Sequence, residues 1–142
     1  MPVRTADAVW KGDLKEGQGT VRLGSGAFEG QYSFGTRFAD GAGTNPEELI
    51  GAAHAGCYSM ALSGGLGRAG FTATRISTVA KVHIDKVGDG FKITKIELEN
   101  ESQVPGIDDA AFQEIAQKTK EGCPVSQALA AVEITLTAKL GA

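Results

Sequence analysis

Two cysteines are the residues of this chain best suited to redox chemistry. Cys57 lies in the middle of an apolar stretch, and Cys123 directly precedes Pro124. In a reducing compartment, two distant cysteines are more often free, metal-bound or redox-active than joined in a structural disulfide. Thiol chemistry is therefore the first hypothesis for the pair. For Cys57 considered alone, the alternative is an inert cysteine buried in a core helix.

The two cysteines differ in their predicted surroundings. Cys123 lies just before a predicted helix, whose unpaired N–H groups favour a thiolate. Cys57 lies in mid-helix, where apolar surroundings raise the pKa of a thiol unless a cation is adjacent. If Cys57 is the nucleophile, a cation must therefore come from elsewhere, and Arg37 is favoured because its segment leads directly into the helix of Cys57. The other candidates are Arg22, Arg68 and Arg75, and the alternative for Arg37 is a solvated surface charge.

Two histidines raise the alternative of a metal site. His54 precedes Cys57 by one helical turn, so the two can form a Cys–His couple or supply two metal ligands. His83 and Cys123 would complete a set of four ligands, but no C-x-x-C or H-x-x-x-H spacing supports it. The simpler hypothesis makes His54 a helix-surface or interface residue with a local hydrogen bond. The chain also lacks a glycine-rich phosphate loop, a nucleophile elbow and a pair of carboxylates placed for acid–base catalysis.

The helix that carries Cys57 is predicted over Thr44–Leu66. Asn45 is suited to cap its backbone N–H groups, Pro46 to occupy the first helical position, and Glu48 to complete a capping box. Apolar or small side chains occupy nearly every face, which predicts a helix buried all round. Its many glycines and alanines leave room for a second helix to pack closely against it. The apolar run is too short and too polar to cross a bilayer.

The rest of the chain predicts strands on both sides of this helix. Short strands and tight turns are expected over residues 6–35, followed by a polar connection over residues 36–43. An alternating strand over residues 76–85 pairs with residues 91–101 in a hairpin, with a bulge near Thr94 and Lys95. The remaining predicted elements are a helix over 109–122 capped by Asp108, a short helical turn opened by Cys123 and Pro124, and a final strand over 133–140. This order predicts an α+β fold with a mainly antiparallel sheet.

Length and composition fit one domain over residues 1–142. The chain has 142 residues, of which 42% are hydrophobic and 22% charged, enough to form a core of its own. Its net charge is -3 and it contains no basic block, which argues against nucleic acid as a partner. The N-terminal segment MPVRTADAVW lacks the apolar region of a signal peptide, which predicts a cytoplasmic location.

Two segments in combination, TNPEELIGAAHAGCYSMAL and EGCPVSQAL, closely resemble the OsmC/Ohr family of osmotically induced and organic hydroperoxide resistance proteins. The resemblance covers the whole chain, and the segments FGTRF and VPGID make it closer to the OsmC branch. It implies an OsmC-like fold of sheets wrapped around a long central helix, in an intertwined homodimer. It also implies a cofactor-free, thiol-dependent peroxidase that prefers organic hydroperoxides to hydrogen peroxide. The implied reductant is an external dithiol, with a lipoyl-type dithiol as the candidate.

The resemblance also implies roles for four residues. Cys57 matches the peroxidatic cysteine, Cys123 the resolving cysteine, Arg37 the activating arginine and Glu47 the glutamate that holds this arginine. Along one helix, the interval between Glu47 and Cys57 is ~15 Å. We therefore expect two antiparallel copies of the helix to bring Glu47 of one chain near Cys57 of the other. Alternatives from other classes are a non-enzymatic dimer that binds small hydrophobic ligands and a thiol redox sensor.

Overall fold

The computed structural model describes residues 1–141 and divides into two compact units, one from Met1 to Leu49 and one that begins at Ile50. The first unit contains an antiparallel sheet in the order β1–β2–β3. Its strands are β1 (Ala6–Lys11), β2 (Gln18–Leu23) and β3 (Glu29–Tyr32). The predicted short strands are therefore confirmed, although the last one ends at Tyr32.

A short helix, α1 (Phe34–Phe38), follows β3. A polar connection is predicted over residues 36–43. This prediction is wrong for residues 36–38, which belong to the helix, and is confirmed for residues 39–43. The helix forms because Ser33 and Thr36 cap it reciprocally. The Thr36 backbone N–H donates to Ser33 Oγ at 3.3 Å, and the Ser33 backbone N–H donates to Thr36 Oγ1 at 2.8 Å. A helix of this length is too short to show apolar periodicity, so no sequence pattern revealed it.

The long helix α2 (Pro46–Arg68) begins where predicted and ends at Arg68 rather than Leu66. The Glu48 backbone N–H donates to Asn45 Oδ1 at 2.8 Å, which confirms Asn45 as the cap. The Glu48 carboxylate accepts a hydrogen bond from the Thr44 hydroxyl at 2.8 Å, a partner other than the Asn45 backbone N–H that the predicted capping box requires. Among residues 1–141, no helix is long and apolar enough to span a bilayer.

One face of α2 is buried and the opposite face is exposed. The buried positions recur every three or four residues: Glu47, Gly51, His54, Tyr58, Leu62 and Leu66. Between the charged ends of the helix, where Glu48 and Arg68 are exposed, the exposed positions are Ala52, Ala53, Gly56, Met60, Ser63, Gly64 and Gly67. The prediction of a helix buried all round is therefore wrong for the single chain. Small side chains make a sequence look apolar on every face, whether or not the same chain covers them.

The second unit contains a sheet in the order β4–β5–β6. Strands β4 (Arg75–Val87) and β5 (Gly90–Gln103) form the predicted hairpin, and the register shift opposite His83 and Ile84 leaves Thr94 as an extra residue. The predicted bulge is therefore confirmed. Strand β6 (Glu133–Leu140) pairs with β5 in parallel, a pairing that the sequence pattern does not predict. The other pairings are antiparallel, so the α+β fold with mainly antiparallel sheet is confirmed.

The connection from β5 to β6 contains two helices, α3 (Asp109–Gly122) and α4 (Pro124–Ala128). Asp108 caps α3 by accepting the Ala111 backbone N–H at 2.8 Å, as predicted. The core of this unit consists of apolar side chains from α2, β5, α3 and the segment after β5. Its buried members are Tyr58, Leu62, Leu66, Ile96, Leu98, Val104, Phe112 and Ala116. This core holds α2 and the two-helix connection against the sheet.

Candidate active site

The second unit brings Cys57 and Cys123 into contact. The Cys57 thiol lies within hydrogen-bonding reach of the Cys123 thiol and of the Val125 backbone N–H. Both cysteines are free; Cys57 is partly buried, and Cys123 is 0% exposed. The two sulfurs are therefore neighbours in the fold, and solvent reaches the pair from the Cys57 side.

The surroundings of Cys57 oppose its ionisation. Burial raises the pKa of the Cys57 thiol, the hydrogen bond from the Val125 N–H counters this effect, and the adjacent Cys123 thiol adds to the increase. The direction agrees with the expectation for a mid-helix thiol in apolar surroundings. A reactive thiolate at Cys57 therefore requires a further positive charge.

Cys123 lies at the junction of α3 and α4. Its backbone N–H donates to the Thr119 carbonyl at 3.0 Å, and its sulfur accepts the Ser126 backbone N–H at 3.3 Å. The sulfur is thus the N-cap of α4, while Pro124 occupies the first turn of that helix. The short helix predicted after Cys123 is confirmed.

His54 lies beside this junction and is 0% exposed. Its Nε2 atom is 2.7 Å from Ser126 Oγ, which is in turn 3.2 Å from Cys123 Sγ. The hypothesis of a helix-surface or interface histidine with a local bond is wrong, because His54 is buried and its partner lies on α4. Sequence reasoning missed Ser126. The sequence did contain a signal for it. Ser126 follows Cys123 by three residues, and a side chain at the third position of a helix can turn back toward the N-cap residue.

The other histidine lies apart from the cysteines. His83 is on the exposed side of β4, where its Nε2 is 2.8 Å from Glu97 Oε2. Across residues 1–141, no group of three or more His, Cys, Asp and Glu side chains is placed to hold a metal ion. The alternative of a four-ligand set that includes His83 is therefore wrong.

The first unit joins Arg37 to Glu47. Arg37 Nε and Nη2 both contact Glu47 Oε1, at 2.9 and 2.8 Å. The Glu47 side chain is 8% exposed and that of Arg37 is 39% exposed, so a buried carboxylate anchors a guanidinium that still reaches the surface. A guanidinium carries five N–H donors, so these two contacts fix its orientation without using its whole donor set.

Local backbone contacts explain why Arg37 meets Glu47. The Asn45 side-chain amide donates to the Thr36 carbonyl at 3.0 Å, which ties α1 to the start of α2. The Thr44 backbone N–H donates to the Gln31 carbonyl at 2.8 Å and ties the same segment to β3. Gly43, with φ +136°, makes the tight approach that these contacts require, in a region that favours glycine.

Comparison with known proteins identifies the family. A family model described as OsmC-like protein matches residues 39–137. The chain belongs to the OsmC family. It is 59% identical over 138 residues to the peroxiredoxin OsmC of Escherichia coli (strain K12), with 96% of each chain covered. It is 33% identical over 101 residues to an organic hydroperoxide resistance protein of Xanthomonas axonopodis pv. citri (strain 306), which covers 70% of this chain and 69% of the relative.

Solved structures agree with this assignment. The organic hydroperoxide resistance protein of Elizabethkingia anophelis matches with a TM-score of 0.70 at 26% identity, and 99% of each chain is covered. An OsmC-like protein of Mycoplasma pneumoniae has the same fold, with a TM-score of 0.77 at 15% identity. The resemblance to the OsmC/Ohr family is therefore confirmed, and the higher identity to OsmC confirms that branch.

Proposed function

We propose that this OsmC-family chain is a thiol-dependent peroxidase that reduces organic hydroperoxides, and hydrogen peroxide less efficiently, to alcohols and water. The observation that carries the proposal is the contact between two free thiols, Cys57 and Cys123, one of them accessible and the other fully buried. The names peroxiredoxin and organic hydroperoxide resistance protein, borne by the E. coli and Xanthomonas relatives, support it.

Cys57 is the proposed peroxide nucleophile because its sulfur is the more accessible of the two. Its thiolate attacks the distal peroxide oxygen, the O–O bond breaks, and the alkoxide takes up a proton to leave as an alcohol. Cys57 becomes a sulfenic acid, the first reversible stage of cysteine oxidation. Arg37 provides the positive charge that stabilises the thiolate and the developing alkoxide.

Cys123 is the proposed resolving cysteine. Its sulfur attacks the Cys57 sulfenic acid, which gives a Cys57–Cys123 disulfide and water. An external dithiol then reopens the disulfide by exchange, and we propose a lipoyl-type dithiol for this step. Attack at the accessible Cys57 sulfur makes the Cys123 thiolate the leaving group. The Ser126 backbone N–H at 3.3 Å is placed to stabilise this leaving group, and the reaction requires no resident cofactor.

Glu47 is the proposed anchor of Arg37, and the active unit is a homodimer. Glu47 and Cys57 lie ~15 Å apart along one helix, so a single copy of α2 does not bring the anchor and the thiol together by itself. The exposed face of α2 consists of small residues and of Met60, which is 81% exposed. A second α2 can pack on this face. An antiparallel pair of these helices would bring the Arg37–Glu47 pair of one protomer to Cys57 of its partner. Residues 1–142 then act as one OsmC-like domain in a cytoplasmic enzyme.

Single-turnover kinetics test the two cysteine roles. With one equivalent of cumene hydroperoxide, we expect the Cys57→Ser variant to consume no hydroperoxide. We expect the Cys123→Ser variant to consume it once and then to accumulate overoxidised Cys57 when more is added. The reverse pattern would exchange the roles.

The same assay separates the other functional classes. A dimer that only binds small hydrophobic ligands would lose no thiols to the hydroperoxide. A redox sensor would form the disulfide but would not sustain turnover when dihydrolipoamide is supplied. Repeated consumption of cumene hydroperoxide in the presence of that dithiol is the result that supports the peroxidase.

A further inference from the structure

The side chains of His54 and Ser126 have no part in the reaction as described so far, yet Ser126 contacts the proposed resolving cysteine and His54 contacts Ser126. We propose that Ser126 and His54 form a buried proton relay that takes the proton from Cys123 when this thiol attacks the oxidised Cys57. The relay deepens the proposed function and rests on it. In it, Ser126 touches the reacting sulfur, and His54 acts through Ser126.

The geometry provides a continuous path for a proton. Cys123 Sγ is 3.2 Å from Ser126 Oγ, and Ser126 Oγ is 2.7 Å from His54 Nε2. A hydroxyl is both a donor and an acceptor, so Ser126 can receive a proton from the thiol while it gives its own to the imidazole. Cys123 and His54 are each 0% exposed, so bulk water does not reach the thiol proton directly. Ser126 therefore takes the place of water as the acceptor of the thiol proton.

His54 is suited to the end of this path. Burial lowers the pKa of His54, so the ring is neutral at neutral pH and its Nε2 lone pair can accept the Ser126 proton. In that tautomer Nδ1 carries the other proton, and Nδ1 is buried without a hydrogen-bond partner among the described residues. An unpartnered buried donor destabilises the fold, because it has lost its hydrogen bond to water. Such a cost is typically retained where the group has a function.

The other ionisable groups around Cys123 do not compete for its proton. The Cys57 thiol, which is the sulfur under attack, and the Tyr58 phenol interact with the Cys123 thiol. Arg68 and Lys118 line the same pocket as Cys123, but both carry a positive charge and take up no further proton. Burial raises the pKa of Tyr58, whose hydroxyl donates to the Ala116 carbonyl at 3.1 Å, so this phenol keeps its own proton. His54 is therefore the base available to the buried thiol.

The step balances without a further reactant. An electron pair of Cys123 Sγ forms the S–S bond, the S–O bond of the Cys57 sulfenic acid breaks, and hydroxide leaves. The thiol proton passes to Ser126 as the Ser126 proton passes to His54. The hydroxide takes a proton from solvent on the Cys57 side and becomes water. The imidazolium later returns its proton through Ser126, which lines a surface pocket open to solvent. When the dithiol later expels Cys123, His54 first takes up a proton, and the same chain working in reverse passes it through Ser126 to the departing thiolate.

Rapid mixing with one equivalent of cumene hydroperoxide, followed by acid quench and intact mass measurement, separates sulfenic acid formation from disulfide formation. We expect His54→Gln and Ser126→Ala to form the sulfenic acid at the wild-type rate but to form the disulfide about 10²-fold more slowly or worse, the low end for loss of a general base. With excess peroxide, both variants should accumulate sulfinic acid. Ser59→Ala is the matched control, because Ser59 also joins α2 to another segment, through Thr78 at 2.8 Å, and should change neither rate.

The pH dependence of disulfide formation distinguishes a base from a merely positioning contact. Gln keeps a hydrogen-bonding nitrogen near the place of Nε2 but cannot take up a proton. We therefore expect the wild-type rate to rise as His54 loses its proton, and this rise to be absent in His54→Gln. Wild-type rates and pH profiles in both His54→Gln and Ser126→Ala would overturn the relay while the peroxidase stands. Failure of the wild type to consume hydroperoxide would overturn the proposed function instead. If one variant does not fold, the other decides the outcome.

Discussion

The sulfur of Cys123 accepts the backbone N–H of Ser126 at 3.3 Å, so the same atom that is proposed to resolve the oxidised Cys57 is also the N-cap of α4. A thiolate is a better acceptor for this N–H than a neutral thiol, and a disulfide sulfur is a poorer one. Chemistry at Cys123 and the stability of the start of α4 are therefore linked.

Replacing Cys123 should show this link in the stability of the reduced protein. We expect Cys123→Ala to lower the free energy of unfolding by about 1 kcal/mol more than Cys123→Ser, because serine keeps an acceptor at the cap and alanine does not. Urea unfolding with excess reductant measures the difference. Equal stabilities of the two variants would show that the sulfur contributes nothing as a cap.

The buried His54 should make stability depend on pH. Burial lowers the pKa of His54 below its ordinary value of 6.5, so the unfolded chain binds a proton that the folded chain refuses. This contribution is fully present above pH 6.5 and is lost as the pH falls from there through the lowered pKa of the folded state. We expect the free energy of unfolding of His54→Gln, measured with urea, to depend less on pH than that of the wild type between about pH 8 and 5.

His83→Gln is the control for that experiment, since His83 is the chain's other histidine and lies exposed beside Glu97. His83→Gln should still lose stability at low pH as the wild type does, because His54 is unchanged. If the pH dependence of stability persisted in His54→Gln but disappeared in His83→Gln, its source would be His83 and not His54.

The Arg37–Glu47 pair should affect peroxide reduction. We expect Arg37→Ala to slow sulfenic acid formation about 10²-fold, the scale for loss of one stabilising donor. Glu47→Gln should slow the same step because the guanidinium loses its charged anchor. Stopped-flow oxidation of Cys57 measures both rates. Arg22→Ala is the matched control, because Arg22 also pairs with a carboxylate, that of Asp7 at 3.0 Å, but on an exposed surface.

The exposed face of α2 can be tested with two glycines. A Cβ at Gly56 or Gly67 would meet nothing within 4 Å in the single chain, so Gly56→Leu should not disturb the fold of one protomer. If two α2 helices pack closely, Gly56→Leu should give a folded monomer with little peroxidase activity, as measured by light scattering and hydroperoxide consumption. Gly67→Leu, near the end of α2, is the control. A fully active dimeric Gly56→Leu would contradict helix-to-helix packing at this face.

Features that depend on sequence neighbours were predictable, whereas contacts between distant segments were not. Asn45 and Asp108 were identified as caps, and the bulge at Thr94 as a phase shift, because a few adjacent residues specify each of them. No local pattern identifies the parallel partner of β6, because a strand's periodicity shows which face is buried but not its neighbour.

The same distinction holds for the candidate site. Cys57 and Cys123 could be predicted as site residues because they are the two cysteines of the chain and both lie in the family motifs. The ion pair of Arg37 and Glu47 was expected from the resemblance alone. The contact between His54 and Ser126 joins residues 72 positions apart, and only the packing of α4 beside α2 brings them together.

The parallel pairing of β6 with β5 has a consequence for the nascent protein. Cys57 leaves the ribosome well before Cys123, and the segment with Cys123 connects β5 to β6, so we expect this segment to take its place only when the C-terminal strand joins the sheet. Until then, an oxidant that reaches Cys57 meets a thiol without its partner. With Cys123 in the proposed resolving role, we expect a chain stalled before β6 to be overoxidised at Cys57 by the hydroperoxides that the folded protein reduces.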